Sequence, residues 1–376
     1  MQCTVKQDFL SRVQQRLILE CIRAARVSAT TVNVTELGRV GKSGARLLLC
    51  RIHGSPLVVK IHNEEKIKSE YQAMKQVWNF FAKDIQIRAQ PPCHSGEGAL
   101  LYWYQGGIKR ARELNEMVYD ENGHRFRFDD DTIIDVFRKL WERCVAVRKW
   151  ARKRSVSLRI EYADYVREPK ARKVLSSILG DDGNKQDVTF LGTSICNPLW
   201  LFGQQCFDVT YKGMRGPVHG DLHANNVIID AEDDVHLIDF AWAAKNKHVL
   251  VDYVLMENSL RFLLFPQHVQ PDKQLEADRL LLKCDGAQEL ASVTWDCCLV
   301  EHYRRLGRIL HQLRTQARPY LASQAEDGFS EYLATQFLIL FGQISYPDYN
   351  QHMAARALGL IASELREKDF GRRALS

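Results

Sequence analysis

Two carboxylates and one carboxamide recur at a spacing that could hold a divalent cation. In VHGDLHANNVIIDAEDDVHLIDF, Val218 to Phe240, Asp221 lies five positions before Asn226 and Asp239 lies thirteen after it. The segment Val227–Asp230 predicts a short strand, 231–234 a polar turn, and Val235–Ile238 a returning strand. Such a hairpin carries the residues before Val227 alongside those after Ile238. Asp221, Asn226 and Asp239 then share one end of it. That is an oxygen-only donor set of the kind Mg²⁺ takes, completed by water and phosphate. Each residue alone reads as a polar loop with capping Asp and Asn side chains; the joint spacing is what marks a site.

The stretch His219-Gly-Asp-Leu-His-Ala-Asn-Asn226 resembles the catalytic loop His-Gly-Asp-Leu-His-x-x-Asn of the aminoglycoside phosphotransferase and choline kinase superfamily. Ile238-Asp-Phe240 resembles the metal motif of the same superfamily. One departure is Ala224-Asn225, where many members carry Pro-Gly. The resemblance implies an α+β, bilobal protein-kinase-like fold with a small antiparallel β-rich N-lobe and a large, mainly helical C-lobe. It implies transfer of the γ-phosphoryl group of ATP to a substrate hydroxyl. Asp221 would accept or orient the hydroxyl proton, Asn226 and Asp239 would hold Mg²⁺, and His219 would pack the loop. His223 is left between the metal-site loop and the phosphate. Phosphoryl transfer needs alignment and charge neutralisation more than covalent help, which this set supplies.

Such a site needs a phosphate-binding side from elsewhere in the chain. Val58-Val-Lys60-Ile61 lies on an expected strand, where these families place the lysine that meets the α and β phosphates. Glu70, on the following helix, is the carboxylate chosen to hold Lys60, with Glu64 and Glu65 as competitors. Gly38, Gly41, Lys42, Ser43 and Gly44 form the expected loop over the phosphates. Gly41-Lys-Ser43 is not a Walker loop: Glu36 stands where its first glycine belongs, and a strand follows. Leu101–Tyr104 is the expected linker beside adenine.

The elements that must position these residues follow from periodicity. Apolar spacing predicts a leading helix over 7–26 and a helix over 64–83. Strands are expected at 31–37, 45–52, 56–61 and 99–104. From Asp130 onward the pattern is mostly helical, with helices expected over 130–151, 171–180, 249–264, 273–283, 287–316, 328–343 and 350–367. The expected organisation is an N-terminal helical extension at 1–30, a nucleotide-binding N-lobe at 31–106 and a helical C-lobe with the catalytic loop at 107–376.

The chain has 376 residues and a formal net charge of +6. Its 45% apolar and 26% charged content is that of a globular protein. No leader-length apolar segment opens it, and runs such as Phe337–Phe341 are too short to span a bilayer. A cytoplasmic protein with reduced, buried cysteines is expected. Eight Lys or Arg fall between Arg138 and Arg154, read as the solvated face of an amphipathic helix rather than a nucleic-acid surface. The expected partner is a small-molecule hydroxyl substrate, with the terminal helices offered to a protein partner and no membrane contact. Asp252, Glu257 and Glu301 are the acids that could meet a cationic substrate, but the chain is basic overall with no dense acidic stretch, so an aminoglycoside acceptor is not expected. Val249-Leu-Val-Asp252-Tyr resembles the post-metal segment of the same superfamily, which implies that Asp252 braces the catalytic loop; a helix N-terminal cap is the alternative. The alternative to an active phosphotransferase is a nucleotide-binding regulatory or scaffold module of the same fold. A protein-substrate kinase is disfavoured because Ala-Trp follows Phe240, where Asp-Phe-Gly would put glycine, and no Ala-Pro-Glu or evident activation segment comes after it. A metal hydrolase using His219, Asp221, His223 and Asp239 would leave Lys60 unexplained.

Overall fold

The computed structural model describes residues 4–6, 9–24, 31–36, 44–52, 55–82, 90–103, 112–118, 128–208, 210–230, 232–265, 271–322 and 326–370. The fold is α+β, and the chain divides into two compact units: 1–116 with 217–245, and 117–216 with 246–376. Residues 217–245, assigned from sequence to the helical C-lobe, therefore cluster with the N-terminal residues.

The first unit is built on a six-stranded sheet. Its elements are β1 (Thr4–Lys6), α1 (Arg12–Ala24), β2 (Thr31–Glu36), β3 (Arg46–Ile52), β4 (Ser55–Asn63), α2 (Glu64–Val77), β5 (Cys93–His94) and β6 (Glu97–Trp103). The strand order is β1-β2-β3-β4-β6-β5. Only β1 runs parallel to its neighbour; β2, β3, β4 and β6 pair antiparallel in sequence, as the alternating patterns predict.

Alternation sorts the side chains of β4 onto two faces. Leu57, Val59 and Ile61 join Val32, Val34, Leu48, Cys50, Ile52 and Leu101 in one core, capped by Leu17, Ile18, Cys21 and Ile22 of α1. The leading helix thus closes the back of this sheet. Val58 and Lys60 point the other way, towards α2, whose buried stripe is Ile67, Glu70, Met74 and Val77. Tyr71 and Trp78, expected on that stripe, lie half-buried beside it. The first turn of α2 is held by Asn63, whose side-chain oxygen accepts from Lys66 N–H at 2.9 Å.

The second unit is mainly helical, with long helices Asp130–Arg148, Val300–Ala317, Glu326–Gln343 and Gln351–Glu367. The expected 249–264 helix is found as Leu250–Asn258 running on into one π-helical stretch, Ser259–Leu264. The expected 287–316 helix is two, Gly286–Ala291 and Val300–Ala317. Strands missed by the helical reading are Arg152–Ser157 and Thr210–Val218, antiparallel neighbours in a three-stranded sheet with Ala244–His248, and the hairpin Asp187–Phe190 with Thr193–Cys196. The basic helix therefore ends at Arg148, and Arg152, Lys153 and Arg154 lie on a strand. Among the described residues no helix is long and apolar enough to cross a membrane, and nine cysteines are free. Burial pushes the Cys50 thiol up to about 12.

Candidate active site

The hairpin closes as its turn chemistry requires. Val227–Ile229 pairs antiparallel with Val235–Leu237, with Val227 opposite Leu237. At the turn, Asp230 Oδ1 accepts from the backbone N–H groups of Glu232 at 3.0 Å and Asp234 at 2.8 Å. At the open end, Ile238 N–H donates to the Asn226 carbonyl at 3.1 Å, which sets Asn226 beside the residue before Asp239. A further strand, β7 (Arg112–Glu113), pairs with the outer side of Val227–Ile229.

Asp239 is held in the left-handed region, φ +62°. An Asp tolerates this better than most residues, and such strain collects at functional sites. Its Oδ2 lies 2.7 Å from Lys60 Nζ, and Glu70 Oε2 lies 2.8 Å from the same nitrogen. Glu70 also accepts a hydrogen bond from the Tyr102 hydroxyl. Tyr102 is opposite Val58 in the β4–β6 register, so it stands on the Lys60 face of the sheet.

The charges divide unevenly over this cluster. Burial would push the Asp239 carboxyl up, but the Lys60 ammonium, by its charge and its hydrogen bond, holds it below the usual carboxylate range. Burial would pull Lys60 down; Glu70 and Asp239 outweigh it and raise it. Glu70 has almost no solvent contact. Its own burial, then the neighbouring Asp239 charge, push its carboxyl up to about 7 against the pull of Lys60 and Tyr102. The cost of enclosing three charges therefore falls on Glu70, while Asp239 stays ionised.

The loop before the hairpin is fastened through His219, which is fully buried. Its Nε2 lies 2.9 Å from the Ile238 carbonyl, and its Nδ1 accepts from Asp221 N–H at 3.3 Å. Both ring nitrogens are thereby committed, Nε2 as donor and Nδ1 as acceptor. The ring packs on Phe240 at 4.7 Å, and Phe81 meets Phe240 at 5.3 Å. His219 is thus a fastener between loop and hairpin and offers no nitrogen to a metal. Gly220 has φ +81°, and a Cβ there would sit 2.1 Å from the Trp242 carbonyl oxygen. Only glycine fits.

Asn226 is buried, and its Nδ2 donates to the Asp221 carbonyl at 2.8 Å. That bond fixes which end of the carboxamide is nitrogen and turns the Oδ1 end towards other partners. Asp221 is one-third exposed, with His223 Nε2 3.8 Å from its Oδ2. His223 Nε2 also meets Asn226 Nδ2 at 3.2 Å, which makes it the acceptor and puts the ring proton on Nδ1.

Asp221, Asn226, Asp239, Lys60 and Glu70 all belong to the first unit. Gly44 does too, with φ +80° and open space around its missing side chain. Gly38, Gly41, Lys42 and Ser43 of the glycine loop lie outside the described residues, as does Tyr104. Sequence reasoning missed Tyr102 and Phe81. Strand alternation from Lys60 and the β6 register locates Tyr102; no local signal marks Phe81.

Residues 109–340, well over half of the chain, match the family described as ternary complex associated domain 9. The chain belongs to that family. The matched stretch of this ternary complex associated domain includes Asp221, Asn226 and Asp239 and leaves out Lys60 and Glu70. No curated protein matches the sequence. Among solved structures, choline kinase LicA from Streptococcus pneumoniae is similar at 13% identity and TM-score 0.38, over 96% of this chain and 95% of that one. Aminoglycoside phosphotransferase APH(4)-Ia, in a ternary complex with ADP and hygromycin B, is similar at 14% identity and TM-score 0.39, over 89% and 94%. APH(3'')-Id from Streptomyces rimosus is similar at 15% identity and TM-score 0.36, over 79% and 99%.

The acids considered for a cationic substrate are otherwise engaged. Asp252 Oδ2 is 3.2 Å from Arg148 Nη2, both buried. Glu257, fully buried, is bonded by Arg314 at 2.7 Å and Arg261 at 3.1 Å, and Tyr332 donates to it at 2.9 Å. Glu301, on the surface, pairs with Arg304 at 2.6 Å. Buried guanidinium groups thus engage both Asp252 and Glu257.

Proposed function

We propose that this chain is an ATP-dependent phosphotransferase that moves the γ-phosphoryl group to a hydroxyl of a small molecule. The observation that carries the proposal is Lys60, shared between Glu70 and Asp239 at the end of the hairpin that also bears Asn226 and follows Asp221. Lys60 has three donors, so it can keep Glu70 while turning the others to the α and β phosphates. Asn226 Oδ1 and the ionised Asp239 would hold Mg²⁺; both are hard oxygen donors, and the committed Asn226 Nδ2 leaves the oxygen end for this task. The bound cation supplies charge neutralisation on the β and γ phosphates. Asp221, the more exposed carboxylate, would orient the acceptor hydroxyl and take its proton. Tyr102 and Glu70 keep Lys60 aimed, and His219 and Gly220 fix the loop. With Asp252 and Glu257 sealed by arginines, a polycationic acceptor is not supported.

Calorimetric MgATP binding and phosphoryl transfer to a panel of hydroxyl compounds test this in the full chain. Asp239→Ala should weaken MgATP binding at least about tenfold, near 1.4 kcal/mol. Asp221→Asn should leave binding within about twofold and cut transfer by about 10²–10⁴-fold. Unchanged binding in Asp239→Ala would sink the site. Normal binding with no transfer by the wild-type chain to any acceptor would instead favour the regulatory-module reading.

A further inference from the structure

Strand Arg152–Ser157 of the second unit pairs on one side only, with Thr210–Val218, from Ser157 opposite Thr210 to Arg152 opposite Arg215. It is the last strand of its sheet, so its other edge has no strand partner among the described residues. A strand on a sheet with one covered face alternates between buried and exposed positions. Here Arg152, Lys153, Arg154 and Ser155 are all exposed, and burial begins only at Val156. Both faces of this stretch therefore meet solvent, and its outer edge has no strand beside it among the described residues.

Its charge is equally one-sided. From Arg143 to Ile160 there are seven Lys or Arg and no Asp or Glu. Arg148 is neutralised by Asp252, and Arg159 by Asp208. Arg152 bonds the carbonyls of Lys149 and Ala151. Arg152, Lys153 and Arg154 have no ion-pair partner among the described residues. Trp150, two residues before the strand, is 53% exposed, with the Lys149 ammonium 5.6 Å from its ring centre. One or two charges suffice to blunt an edge against self-association. They do not require an acid-free stretch of this length or an exposed indole.

We propose that this edge is the docking site for an extended, acidic segment of a partner protein, which adds to the sheet as a further strand. Backbone groups of the segment would pair with the open edge, its carboxylates would meet Arg152, Lys153 and Arg154, and an apolar residue would cover Trp150. A peptide fits better than a polynucleotide, because an extended peptide backbone presents N–H and C=O groups at the same repeat as the strand's own. It fits better than a bilayer, because the exposed apolar residues Trp150 and Ile160 flank the strand, separated by about 20 Å of extended chain, and form no continuous patch.

The test uses the full chain and a fluorescein-labelled octapeptide of alternating Glu and Val, read by fluorescence anisotropy and amide hydrogen exchange. Binding should weaken at least about fivefold between 50 and 300 mM salt. It should be lost in the double variant Lys153→Glu, Arg154→Glu and slow exchange at amides 152–157. If that variant does not fold, Lys153→Gln with Arg154→Gln replaces it, with at least about fivefold weakening expected. A peptide N-methylated at alternate residues should bind at least about fivefold more weakly, since it cannot pair along one edge. The proposal is overturned if the N-methylated peptide binds as tightly as its parent or if the parent does not bind. It is equally overturned if single-stranded oligouridylate or phosphatidylserine vesicles bind more tightly than the peptide with the same sensitivity to the charge reversal.

Discussion

At the scale of single residues, the site depends on positions where the alternatives are sterically or electrically closed. Gly220 combines φ +81° with a Cβ position 2.1 Å from a backbone oxygen. Gly220→Ala should therefore cost about 3 kcal/mol or more, the left-handed penalty plus a displacement of Trp242, measured as a shifted urea midpoint. Glu70 carries the opposite kind of constraint. Its folded-state carboxyl is raised to about 7, mainly by burial. A carboxyl raised on folding binds its proton more tightly in the native state, so its contribution to stability falls as pH rises from the unfolded value towards 7. Glu70→Gln should flatten that part of the pH–stability curve. A slope between pH 4.5 and 7 that is identical in wild type and variant would remove Glu70 as its source. Lys60 and Glu70 were legible in the sequence because a strand lysine and a helix acid had a motif to serve. Tyr102 and Phe81 were not, because only packing shows what their rings touch.

At the scale of elements, the buried ion network of the second unit fixes how its helices meet. Glu257 links Arg261 on its own helix to Arg314 on Val300–Ala317, and Arg261 passes the connection to Asp278, which also meets Arg356 at 3.0 Å. Burial would push the Glu257 carboxyl up, yet Arg314 and Arg261 pull it down to about 2. A carboxyl lowered on folding contributes stability above its unfolded value, lost as pH falls from 4.5 towards 2. Glu257→Ala leaves buried guanidinium groups without their partner and should cost about 3–5 kcal/mol near neutral pH, shrinking as the medium is acidified, by urea denaturation across pH. Sequence periodicity located most of these helices. It misread Arg152–Ser157, where four consecutive polar residues show no strand alternation and the basic run reads on smoothly from the helix before it.

At the scale of the whole molecule, the chain passes between its two compact units three times, at 116/117, 216/217 and 245/246. Every described residue of the proposed site falls in the first unit, although Asp221, Asn226 and Asp239 lie more than 100 positions beyond Lys60 and Glu70. MgATP binding should therefore slow hydrogen exchange at 58–61 and 219–240. At a hundred times its Kd it should stabilise the first unit by about 2.7 kcal/mol. Equal protection around Glu257, with none at Lys60, would place the nucleotide elsewhere.

The sequence by itself determined the hairpin, the antiparallel strands around Lys60 and most of the helices. Those features are local: spacing, alternation and turn chemistry act over a few residues. Tertiary structure alone decided that Lys60 joins Asp239 directly and that His219 has no nitrogen to spare. It also decided that Asp252 and Glu257 are spent on arginines. Pairings across long stretches of chain depend on which faces are buried together, and burial sets both the partner and the charge state of each group.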